Sequence, residues 1–118
     1  MNVYDLAHEL ARALSQCPEY REFSRAKEEL EKDPQAKNML KDLRTKQLEV
    51  EALRLSGKPV DEAVKNLENL YNIVSYNSLL RQYMEAEARF AVLMADIQGI
   101  IAKAIGLDFN LDEPNKEE

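Results

Sequence analysis

The stretch SLLRQYMEAEARFAVLMADIQGIIAKAI, residues 78–105, decides the architecture. Asn77 stands before it as a helix cap and Gly106 after it as a left-handed stop, so it reads as one helix of 28 residues. At about 1.5 Å per residue such a helix runs roughly 42 Å. A compact chain of 118 residues has a radius of gyration of only about 13 to 14 Å, so the helix outruns the body it must cover.

Side-chain order along this helix says the same thing independently. FAVLMA, residues 90–95, places six apolar side chains in succession, and successive helical residues step around the whole circumference. Tyr83, Phe90, Leu93, Ile97, Ile100 and Ala104 form a stripe of mainly large residues. Ala88, Ala91, Ala95, Gly99 and Ala102 form a second stripe of small ones on roughly the opposite side. Two apolar faces call for two neighbours. The expectation is that the large stripe packs within the protomer and the small one meets a second chain; the reverse assignment, and a monomeric bundle wrapped around one central helix, are the alternatives.

Working back toward the N-terminus, SGKP at 56–59 is a turn: Gly57 ends a helix and Pro59 prevents its continuation. Beyond it a fourth helix is expected from Val60 to Tyr76, with Val64, Leu67, Leu70, Tyr71 and Val74 inward. In EKDPQAKNML, residues 31–40, Asp33 caps and Pro34 opens a helix running to about Ser56. Cys17 and Pro18 repeat that device, and Tyr20, Phe23, Ala26, Lys27 and Leu30 then share a face. From Asn2 to Ser15, Leu6, Leu10 and Leu14 make a narrow amphipathic stripe with Ala7 and Ala11. The class is therefore all-α: an elongated bundle of about five helices with a long C-terminal one, a single domain over residues 1–107, and an acidic tail, 108–118, expected to fray.

Composition limits the function classes. Net charge is −6, with no local run of Lys or Arg, so a nucleic-acid backbone is repelled on average and DNA binding is not expected. No apolar run approaches the roughly 20 residues that cross a bilayer, and the N-terminal MNVYDLAHEL is acidic where a secretory signal is basic. A cytoplasmic location is expected, and the single Cys17 agrees with a reducing compartment.

Motifs for chemistry are missing. His8-Glu9 begins a zinc-protease pattern, but Arg12 replaces its second histidine. Cys17 has neither a second cysteine nor a base, and the three glycines are isolated, which leaves no phosphate loop. No catalytic residue, metal or cofactor is expected. Tyr71, Tyr76 and Tyr83 lie near the joint of the last two helices and suit either the edge of a core or a recognition patch, which makes them the candidate partner surface. Glu28 with Lys32, Asp42 with Lys46, and Glu85 with Arg89 have the spacing of solvated ion pairs.

The segments AHELARAL, CPEYREF, AKEELEKDPQAKNMLKDLRTKQLEVE, GKPVDEAVKNLENLY and QYMEAEARFAVLMADIQGIIAKAIGLDF together resemble the YlbF/YmcA family of small helical bacterial proteins, and most nearly its YheA-like branch. Asp33-Pro34 followed by Ala36 and Leu40, with the terminal IAKAIGLDF, carries most of that likeness. The resemblance implies an all-helical, self-associating protein without known catalysis. Its better-understood relatives regulate competence, sporulation and biofilm development through a complex that influences RNA maturation by RNase Y. Some relatives hold iron–sulfur clusters on cysteines, but one cysteine cannot supply the usual four thiolates, so no cluster is carried over.

The expected function is a noncatalytic helical adaptor, homo-oligomeric, with other family members or RNA-processing proteins as partners. The alternative is an RNA-associated regulator, in which Lys37, Lys41, Arg44 and Lys46, interleaved with Asp42 and Glu49, supply the positive field.

Overall fold

The computed structural model describes residues 1–107; the expected tail at 108–118 lies outside them. Five helices follow in order: α1 (Val3–Gln16), α2 (Pro18–Glu31), α3 (Pro34–Leu55), α4 (Asp61–Val74) and α5 (Ser78–Ala104). There is no strand among the described residues.

Caps place the boundaries. The Asp33 carboxylate accepts from the Ala36 backbone N–H at 3.1 Å, and the Asn77 amide oxygen accepts from that of Leu80 at 3.0 Å, each satisfying a donor that the first helical turn leaves free. Cys17 occupies the cap of α2 but makes no side-chain bond there, so Pro18 alone sets that start. Asn2 and Asp5 form a reciprocal capping box that pattern reading overlooked. Gly57 and Gly106 adopt φ of +73° and +72°. Each closes its helix with a backbone bond five residues back, Lys58 to Leu53 and Leu107 to Ala102.

The main core lies where α2 runs antiparallel to the first half of α5. Leu30, Ala36, Val74, Leu80 and Tyr83 are buried there, with Phe23, Met39, Leu40 and Leu70 against them. Aromatic rings zip the seam: Phe23 meets Tyr83 and Phe90 at centroid distances of 5.5 and 5.7 Å, and Tyr20 meets Phe90 at 5.6 Å. α3 turns back into α4 as a hairpin, whose own buried residues include Leu43 and Val50.

The result is flat and open. Principal extents are 49 × 43 × 18 Å and the radius of gyration is 18.5 Å, against about 13.5 Å for a compact chain of this length. Accessible surface is 9209 Å², whereas a compact monomer of this mass exposes roughly 6,600 Å². That surplus exceeds the about 800 Å² that each partner contributes to a standard interface.

Candidate interaction surface

Two regions leave apolar side chains open. On α1, a strongly amphipathic helix with no buried residue, Val3, Tyr4 and Leu6 are more than half exposed. Only Leu14 of its leucine stripe is half-buried. On α5 the faces divide along the helix. Tyr83 is buried and Phe90, Leu93 and Ile97 are half-buried toward the protomer, but Ile100 stands 69% exposed beyond the reach of α2. The small face is open: Ala88, Ala91, Ala95 and Gly99 are exposed, Ala102 is half-buried, and a methyl group added at Gly99 would meet nothing within 4 Å. Val92 and Ile101 add larger exposed groups to α5, and Ile105 and Leu107 to the residues that follow it.

Where α4 and α5 part, they leave a cleft of about 290 Å³ lined by Tyr71, Val74, Ser75, Arg81, Met84, Glu85 and Ala88. Met84 and Ala88 are one turn apart, so the cleft opens onto the upper end of the small face. A polar relay fixes its wall. Arg44 of α3 donates to both carboxylate oxygens of Glu87 at 2.7 and 2.8 Å and to Gln47 at 3.3 Å, and Gln47 in turn donates to the Tyr71 hydroxyl at 2.6 Å. At the mouth, Arg81 donates to the Ser75 carbonyl at 2.9 Å. Sequence spacing did not reveal this cleft, because it depends on the angle at which α4 leaves α5.

Charge shifts follow from the same packing. Burial raises the Tyr83 phenol, with the nearby Glu87 carboxylate acting in the same direction and Arg44 opposing both. The hydrogen bond to Glu87 raises the Arg44 guanidinium against the desolvation that lowers it.

Tyr83 is 8% exposed and belongs to the core through its contact with Phe23, which corrects its assignment to a partner surface. Tyr76 is 88% exposed and Tyr71 lines the cleft. The three anticipated helical ion pairs are also corrected: Lys32 bridges Glu29, Lys46 bridges Glu49, and Arg89 reaches across to Glu22 of α2. Of the four cations proposed to face RNA, Lys37 pairs with Glu31 at 3.1 Å, Arg44 with Glu87 and Lys46 with Glu49.

Among the described residues no group of three or more His, Cys, Asp or Glu side chains is placed to hold a metal ion. No helix among them is long and apolar enough to cross a membrane. His8 is exposed, and Cys17 is a half-buried free thiol.

Comparison with known proteins agrees with this architecture. Residues 3–106 match the family model described as "Control of competence regulator ComK, YlbF/YmcA". A UPF0342 protein of Caldicellulosiruptor saccharolyticus is 45% identical over 107 residues, covering 90% of this chain and 89% of that protein. A second, from Symbiobacterium thermophilum, is 38% identical, with 90% and 96% covered. Among solved structures, a protein of unknown function (DUF964) from Bacillus stearothermophilus superposes with a TM-score of 0.77 over 88% of this chain and 92% of that one; at 21% identity the likeness is one of fold.

Proposed function

Because this chain belongs to the YlbF/YmcA family, whose description is control of a competence regulator, we propose that it is a noncatalytic, self-associating helical adaptor in a regulatory assembly. It works by helix-on-helix recognition, laying apolar helix faces against a second copy and against other proteins. The single observation that carries this reading is the open apolar face of α5 from Ala88 to Ala102, on a molecule with far more surface than its mass requires. Contiguous exposed apolar surface of this kind marks interaction sites on proteins that otherwise cover it.

The RNA-associated alternative draws no support from the geometry, since three of its four cations are already engaged by carboxylates.

Light scattering at micromolar concentration is expected to give a mass above the 13.6 kDa of one chain. A strictly monomeric mass would end the self-association half of the proposal. The adaptor half is tested by affinity purification from the native cell with Ala95→Glu alongside the parent. Protein partners are expected to survive nuclease treatment with the parent and to be lost with the variant. Partners that vanish with nuclease would favour RNA.

A further inference from the structure

We infer that the second copy packs antiparallel along α5 about a two-fold axis at Ala95, seating the residues that follow its own α5, Ile105 and Leu107, in the cleft between α4 and α5. This deepens the self-association proposed above and rests on it.

The order of small residues is the first observation. Ala88, Ala91, Ala95, Gly99 and Ala102 fall at seven and four positions before Ala95, at Ala95 itself, and at four and seven after it. In an isologous antiparallel contact centred on Ala95 each residue meets its mirror position on the other copy, so this palindrome lets small side chains meet small ones along the whole stripe. Ala88 then faces Ala102, Ala91 faces Gly99, and Ala95 faces itself. With no Cβ at Gly99 and open space around it, the two backbones can approach closely there.

The cleft, which adjoins the stripe at Ala88 and draws its other wall from α4, supplies the second observation. In this register the partner's residues 105–107 lie opposite residues 83–85, at the cleft wall formed by Met84 and Ala88. Ile105 and Leu107 are 62% and 50% exposed in the single chain, so each copy has a loose apolar end and an apolar recess of about 290 Å³ to receive one.

Charge gives the third. Glu85 and Lys103 are eighteen residues apart, which is about five full turns, so both project from one flank of α5. A two-fold axis perpendicular to the helices keeps that flank on the same side in both copies. It sets Glu85 of each beside Lys103 of the other, and both side chains are exposed and free of salt bridges among the described residues.

The test is disulfide trapping in a Cys17→Ser background, with mass measured in parallel. Chains carrying Ala88→Cys, mixed with chains carrying Ala102→Cys, are expected to cross-link to each other, while Ala88→Cys alone does not cross-link to itself. A multimeric mass without the mixed cross-link, or with Ala88→Cys joining itself, overturns the antiparallel register and leaves self-association standing. A monomeric mass overturns both. As a second readout that leaves the core untouched, Lys103→Glu is expected to weaken association roughly five- to tenfold through two like-charge pairs. Adding Glu85→Lys restores it; failure of the double change to restore affinity overturns the facing of these two residues.

Discussion

Cys17 sits at the corner between α1 and α2, in the cap position, with extended backbone and no side-chain bond to the helix it precedes. A hydroxyl there can accept from the N–H groups that a thiol serves poorly, so Cys17→Ser is expected to hold or raise stability by up to about 1 kcal/mol. Chemical denaturation checks it; a loss of more than that would mean that the thiol's packing outweighs the cap. A few helices away, Tyr83 makes a pH prediction. Its phenol is raised in the folded chain by burial, so the folded state holds the proton more tightly than the unfolded one. The stability this contributes is complete below about pH 10, the ordinary tyrosine value, and is lost as pH rises through the folded value. An alkaline stability profile should therefore fall more steeply above pH 10 for the parent than for Tyr83→Phe, and coinciding profiles would remove Tyr83 as the cause. Ion pairs were the least legible feature at this scale. Lys32, Lys46 and Arg89 each had a carboxylate four positions earlier, yet each chose another. Alternatives on a helix surface differ by only a few tenths of a kcal/mol, and Glu22 comes within reach of Arg89 only once α2 has packed.

Elements were far more legible than pairs, because proline and the caps act within one turn. Asp33-Pro34 and Asn77 state their helix starts in the sequence itself, and Gly57 and Gly106 state two ends. The apolar stripes of α5 were legible as well, including that they divide by size. What periodicity did not carry was how far each stripe is covered: α2 is 14 residues long and α5 is 27, so the large stripe runs out of neighbour before Ile100. Gly99 lies in that uncovered half, and it offers a test of what α5 does alone and in company. In a lone helix Gly99→Ala gains about 1 kcal/mol of propensity, and nothing in the single chain obstructs the added methyl group. Dilute protein should then melt about 4 °C higher. At concentrations where the chains associate the gain should shrink, because the methyl group holds two backbones apart; an equal gain at every concentration would show that no chain approaches α5 at this point.

At the scale of the whole molecule, the fold class and the order of five helices follow from local signals, but the 18 Å thickness does not. It depends on how the helices cross, which local signals do not encode, and it goes with an exposed α1 leucine face and an open cleft between α4 and α5. An open shape has a thermodynamic consequence. Among the described residues the buried core of the single chain contains eight hydrophobic residues, from Leu30 to Ala86, a small number to offset the chain entropy of a domain this size. In the proposed assembly, burial of α5 faces between copies would add to that core and link folding to association, because anything that binds only the folded chain raises its apparent stability with concentration. The melting temperature of the parent should accordingly climb as protein concentration rises from the nanomolar to the high micromolar range, while that of Ala95→Glu should stay level and lie at the parent's dilute value. A parent melting temperature independent of concentration would mean that eight buried residues and their half-buried neighbours suffice, and that the apolar face of α5 faces water in the working protein.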